Sequence, residues 1–238
     1  MEWIVPLEIV IRIFEFAILI FSLCVHESAH AWMASRLGDQ TARLQGRITL
    51  NPAYHIDPIG TLLIPGLALF GKFIGLGFLG GFLIGWARPV PVNTRNFKNI
   101  VRDDNLTTAA GPLSNLMLAT ISFLLLLVIT HLVPGAKDVA IGDYLGLYDV
   151  QGPILKPIMV LLTLSIYINL ILCFFNLLPV APLDGHHFVR NMLPYNALRV
   201  YDGIPPLVSL AVMILFGGYF IGVLMGPVWA MVGLGLQL

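Results

Sequence analysis

Residues 13–37 read IFEFAILIFSLCVHESAHAWMASRL. The run is long enough to cross a bilayer, which takes about 20 mostly apolar residues, yet His26, Glu27 and His30 lie inside it. Histidines four apart share one face of a helix, so their ring nitrogens can converge on a single Zn²⁺. Glu27, between them, is placed to take a proton from water activated by the metal. HExxH alone is a weak signal in a soluble helix. Within an apolar span it is stronger, because ionisable groups there are costly unless they are paired or functional. The bland alternative is a polar cluster that glues helices together.

The rest of the chain matches that setting. Of 238 residues, 58 % are apolar and only 11 % charged, against about 25 % charged in an ordinary soluble domain. Thirteen basic and thirteen acidic residues cancel, so no basic face for a nucleic-acid partner is expected. Cys24 and Cys173 both lie in apolar runs and form neither a disulfide framework nor a CxxC metal site. The start, Met1 to Glu15, lacks a basic leader, so the first apolar run is expected to stay in the mature protein. No polar linker separates folded units, and residues 1–238 read as one transmembrane domain.

Four further apolar segments follow: Asp57 to Trp86, Leu106 to Val133, Ile154 to Leu178 and Ile204 to Met225, with a short apolar tail. The fold class predicted is an all-α polytopic membrane protein of about five to six transmembrane segments. Basic residues follow the first, second and fourth runs (Arg36, Arg43 and Arg47; Arg88, Arg95, Lys98 and Arg102; Arg190 and Arg199). By the positive-inside rule these flanks face the cytoplasm and the first span runs inward. Both flanks of Asp57 to Trp86 are then cytoplasmic, which one crossing cannot satisfy. A re-entrant segment or hairpin turning near Gly71-Lys72 satisfies it, with irregular backbone covered by protein. The alternative is one long tilted crossing. Thr41 to Pro52 alternates and carries β-branched residues, and Ala87 to Asn93 is punctuated by proline. Both are expected to be short extended or β segments near the active site.

HExxH supplies two protein ligands, and a catalytic zinc usually has three. Asp184 stands out: it follows the fourth span, Pro179 and Pro182 break the helix before it, and Gly185 permits a tight turn. His186 and His187 are rival ligands, though surface or interfacial imidazoles are the preferred reading. His55 and Asp57 read as a loop feature supporting the second segment, and His131 as an interfacial residue at the far end of the third span.

Three motifs occur together and in order: His26-Glu27-Ser28-Ala29-His30, Ala110-Gly111-Pro112-Leu113-Ser114-Asn115, and Asn176-Leu177-Leu178-Pro179 with Leu183-Asp184-Gly185. On these the chain resembles the site-2 protease family of intramembrane zinc metalloproteases, over roughly residues 10 to 200. Gly46 to Pro52, His55 to Gly60 and Gly85 to Asn93 resemble its compact branch, and Pro134 to Pro153 leaves no room for an inserted PDZ domain. The departure is His186-His187, where the family often has a small residue. The resemblance implies one zinc per chain held by His26, His30 and Asp184, with Glu27 as catalytic acid and base. It implies a role beside the metal for Asn176, in holding the substrate backbone or oxyanion. For Asn115 it leaves substrate contact and helix packing through Gly111 equally open. The function implied is hydrolysis of peptide bonds within or next to transmembrane segments of substrate proteins in a lipid bilayer; the topology sets the site near the cytoplasmic face, and the compact architecture favours a prokaryotic inner membrane over an organelle membrane. A homo-oligomer is compatible with this. A metal transporter would instead spread ionisable groups through several spans or show inverted repeats, and an inactive relative would be expected to have lost Glu27.

Overall fold

A computed structural model describes residues 7–76, 85–136 and 155–237. Its elements are α1 (Leu7–Leu37), α2 (Thr41–Leu44), α3 (Pro58–Ile74), α4 (Ile100–Leu132), α5 (Leu155–Asn176), α6 (Asp184–Met192), α7 (Tyr195–Asp202) and α8 (Pro206–Gln237). Four of these, α1, α4, α5 and α8, are long and apolar enough to cross a membrane, and the protein is an integral membrane protein. The helices form because their runs are apolar and, within a bilayer, backbone groups must be satisfied inside the segment.

α4 and α5 form the centre. Ala119 and Leu126 of α4 pack on Met159, Ile166 and Leu170 of α5, with Met225 and Val232 of α8 completing the cluster. Ser122 and Ser165 hydrogen-bond between α4 and α5 at 2.8 Å. Small side chains allow this close approach, and a hydroxyl pair in an apolar surround adds to it. Cys24 and Cys173 are buried free thiols.

Four of the five expected segments coincide with long helices, while Asp57 to Trp86 departs from a plain span. Asp57 caps α3 by accepting from the Ile59 and Gly60 amides at 3.0 and 2.7 Å. α3 runs along α1, with Phe70 edge-on to Phe16 and Lys72 ion-paired with Glu8. It is closed at Gly75, whose φ of +81° is a conformation that glycine tolerates best. By Trp86 the chain is back at the start of α3: Trp86 N donates to Gly60 O at 3.2 Å, and Thr61 Oγ1 donates to Trp86 O at 2.7 Å. Gly77, Gly80 and Gly81 of the expected turn, and most of the Pro134 to Pro153 loop, lie outside the described residues.

The β reading of Thr41 to Pro52 is corrected. No strand occurs among the described residues. Asp39 accepts from Thr41 N at 3.1 Å and Thr41 Oγ1 at 2.5 Å, which starts α2 instead. Further along, Thr49 gives its backbone to α1: its N–H donates to Ser28 Oγ at 2.9 Å, and Ser28 Oγ lies 2.5 Å from Thr49 O. Backbone groups that a strand would offer to a neighbour are therefore taken. Ala87 to Asn93 has no helix, but Pro89 and Pro91 lack the donors a ladder needs. Its carbonyls at Arg88 and Pro89 accept from buried Arg47.

Candidate active site

His26 and His30 sit two-thirds of the way along α1, both buried. Asp184 opens α6, beyond the broken turn that ends α5. Gly185 serves close approach more than turn freedom, since a Cβ there would meet the carbonyls of Leu177 and Leu178. The result joins residues from opposite ends of the chain. His26 Nε2 and His30 Nε2 are 3.1 Å apart, and Asp184 Oδ2 lies 3.1 Å from the first and 3.3 Å from the second.

The other ring nitrogens are engaged behind the cluster. His26 Nδ1 is 2.6 Å from Asn115 Oδ1, and His30 Nδ1 is 2.7 Å from the Thr107 carbonyl. Asn115 donates its amide to Asn169 Oδ1 at 2.9 Å and to Ser22 O at 3.3 Å, which fixes its oxygen toward His26. Asn169 in turn donates to Ser165 O at 2.9 Å. A neutral imidazole that donates from Nδ1 presents a bare lone pair at Nε2. Two such lone pairs and a carboxylate oxygen with no hydrogen-bond donor then face one point, an arrangement that a cation between them would satisfy.

The spacing fits zinc. Two atoms each about 2.0–2.1 Å from a tetrahedral zinc lie about 3.3–3.4 Å apart, close to the three separations above. His26, His30 and Asp184 are the His, Cys, Asp and Glu group among the described residues that could hold a metal ion. Gly111 of α4 makes room for it, because a Cβ there would overlap the rings of His26 and His30.

Glu27 is half-buried beside the cluster. Its carboxylate acts on Arg47 and His55 of the loop packed against α1. Burial holds His55 below the usual imidazole range, helped by Arg47 and opposed by the Thr49 carbonyl, which accepts from His55 Nε2 at 2.8 Å.

The remaining candidates lie elsewhere. Asn115 is fully buried behind His26. Asn176 ends α5 and donates to Leu172 O at 2.9 Å. His186 stacks on Tyr201, with centroids 4.7 Å apart. His187 turns toward Asp104 at 3.6 Å. His131 is exposed and turns back on the Leu127 carbonyl. Sequence reading passed over Thr107, which acts through its carbonyl and carries no side-chain signal. It also passed over Asn169, an amide in the middle of a mostly apolar span, which intramembrane polarity marks as a candidate.

Comparison with known proteins follows the same line. Peptidase family M50 matches residues 14–216. The Bacillus subtilis (strain 168) protein named "Putative zinc metalloprotease YwhC" is 40 % identical over 176 residues, 74 % of this chain and 67 % of that protein. The Mycobacterium tuberculosis (strain H37Rv) protein named "Putative zinc metalloprotease Rip2" is 31 % identical over 207 residues, 85 % of this chain and 68 % of that one. No solved structure matches the chain significantly. With the four long apolar helices and the cluster of two histidines and an aspartate already described, the family match over most of the sequence means that this chain belongs to peptidase family M50, the site-2 protease family.

Proposed function

We propose that the protein is an intramembrane zinc metalloprotease that hydrolyses peptide bonds within or next to transmembrane segments of other proteins. The observation that carries this is the convergence of His26 Nε2, His30 Nε2 and Asp184 Oδ2 inside the bundle, with both Nδ1 atoms hydrogen-bonded outward. His26, His30 and Asp184 hold one zinc, which when bound supplies Lewis acidity toward water and a peptide carbonyl. Glu27 takes the proton of the attacking water and returns it to the leaving amine. Asn115 and the Thr107 carbonyl fix the tautomer and tilt of the two rings. Asn176, eight residues before Asp184, holds the substrate backbone or the developing oxyanion. The names of the relatives support zinc, and their bacterial sources support a prokaryotic inner membrane.

The test is zinc content together with cleavage of a model transmembrane substrate by the purified full chain. Wild type should carry about one zinc. Asp184→Ala should lower occupancy by about ten-fold or more, since one of three protein ligands is lost. Glu27→Gln should keep zinc and slow cleavage by about 10²–10⁴-fold, because an amide cannot accept the proton. Unchanged zinc in Asp184→Ala would refute the ligand set, and near-wild-type cleavage by Glu27→Gln would refute the base.

We also propose that residues 57–86 enter and leave the bilayer at the face nearest the zinc, in support of which Trp86 returns to Gly60. Asp39, just past α1, accepts from Asn93 N at 2.7 Å and Asn96 Nδ2 at 2.8 Å just before α4. The adjoining basic flanks support a cytoplasmic setting for that face. Leu44 and Arg95 are exposed on the two flanks, whereas Arg47 is buried. Single cysteines at Leu44 and Arg95, on a background lacking Cys24 and Cys173, should react from the same side with an impermeant thiol reagent in oriented vesicles. Opposite-sided labelling would mean a single crossing.

A further inference from the structure

Asp184 is the exposed member of the cluster in architectural terms. His26 and His30 ride on a 31-residue helix, whereas Asp184 opens a nine-residue helix beyond a broken turn. A metal site works only if its ligands are held to within about 0.5 Å by surrounding contacts. On α6, Asp184, His187 and Asn191 stand at positions i, i+3 and i+7, which share one face of a helix. Across from that face lies Asp104 of α4, 8 % exposed. Asn191 Nδ2 donates to Asp104 Oδ2 at 2.7 Å and to the neighbouring Asn105 Oδ1 at 2.8 Å. His187 Nδ1 is 3.6 Å from the same carboxylate oxygen, too long for a hydrogen bond but close enough for attraction. The partners that act on Asp104 (His187, Asn191 and Arg190) all belong to α6.

The rest of that face of α4 serves the other two ligands. Asp104, Thr107, Gly111 and Asn115 are spaced by three, four and four residues, so they line one side of the helix. Thr107 accepts from His30, Gly111 leaves space for both rings, and Asn115 accepts from His26. Asp104 occupies the corresponding place for Asp184.

We propose that Asp104 is a positioning residue for Asp184: through Asn191 and His187 it locks the rotation of α6, so that one face of α4 orients all three ligands. This rests on the reading of His26, His30 and Asp184 as zinc ligands. A residue that holds a ligand in place typically affects metal affinity by about 10–100-fold, whereas a residue that merely packs α6 would alter melting and leave the metal's surroundings unchanged.

The experiment measures zinc affinity by chelator competition, and the visible absorption of the Co²⁺-substituted protein, on the full chain in detergent. Asp104→Leu and Asn191→Ala should weaken zinc by about 10–100-fold and change the Co²⁺ spectrum. Asp104→Asn keeps an oxygen acceptor for Asn191 and should restore most of the affinity. Met192→Ala removes a side chain at the end of α6 that is 81 % exposed and should leave affinity and spectrum as in wild type. If Asp104→Leu loses helicity by circular dichroism, Asn191→Ala decides, since it cuts the same link from the partly exposed side. Wild-type affinity and spectrum in Asn191→Ala, alongside loss of zinc in Asp184→Ala, would overturn this proposal alone. Retention of zinc in Asp184→Ala would instead overturn the ligand reading beneath it.

Discussion

α4 and α8 are alike in length and in the hydropathy of their most apolar stretches, yet differ sharply in the folded protein. They have 33 and 32 residues, their most apolar stretches have mean hydropathy 2.2 and 2.4, and each has one proline in its interior, Pro112 or Pro227. Yet 33 % of the α4 stretch is buried against 17 % of the α8 stretch. What α4 buries is largely small or polar: Asp104, Thr107, Thr108, Gly111, Ser114 and Asn115. α8 instead exposes Leu207, Leu215, Phe216 and Tyr219. In a bilayer an apolar surface gains little by moving from lipid to protein, so close packing and polar contacts choose the interior helix. Hydropathy therefore identifies a span but does not tell which span carries the site.

The sharpest way to break that contrast is to add one methyl group to each helix. Gly111→Ala puts a Cβ onto the histidine rings, whereas a Cβ at Gly218 meets nothing within 4 Å. Gly111→Ala should lower both zinc affinity and substrate cleavage by about 100-fold, the upper end for disturbed metal surroundings. Gly218→Ala should match wild type in both assays. Equal effects would remove the distinction between the two helices.

A smaller effect is expected from deleting one polar support. Asn115→Ala frees His26 Nδ1 and leaves Asn169 without its donor, and should weaken zinc by about 10–100-fold in chelator competition. Its counterpart on α8, Phe216→Ala, removes a side chain that is 61 % exposed and should leave zinc affinity unchanged. A wild-type affinity for Asn115→Ala would mean that the amide chain running from His26 to Ser165 is only packing.

The smallest effect lies outside the membrane, where Asp39 ties the end of α1 to the segment leading into α4. Burial opposes its ionisation, but hydrogen bonds from Thr41, Asn93 and Asn96 prevail and hold its carboxyl below the usual range. Its native value is thus below the unfolded one of about 3.9. The stabilisation it contributes is complete above that value and is lost as pH falls through the lower native one. Thermal unfolding in detergent should therefore be steeper with pH below about 4 in wild type than in Asp39→Asn. Identical profiles would show that this carboxylate is not linked to folding.

Much of the site was legible from local periodicity. The four-residue spacing of His26 and His30 fixes a shared helical face whatever surrounds it. Glu27 follows from the motif, and the proline-broken approach to Asp184 marks a carboxylate delivered at a span's end. The four long helices were legible because bilayer thickness imposes a minimum apolar length. Thr41 to Pro52 was misread because alternation reports a strand only when a partner strand exists. Here Asp39 and Ser28 supply competing hydrogen bonds from residues outside the stretch.

The sequence by itself determined that this is a membrane-spanning chain, with two imidazoles spaced for one metal and a carboxylate between them on one helix. Those properties depend on residue type and on spacing within a single element. Only the tertiary structure decided which helix supports the site: that Asn115 and Thr107 orient the two rings, that Asp104 grips α6 beneath Asp184, and that Trp86 comes back to Gly60. Each of these is a contact between residues distant along the chain, made at a few ångströms by the packing of separate helices. Neither hydropathy nor periodicity encodes which faces of two helices will meet.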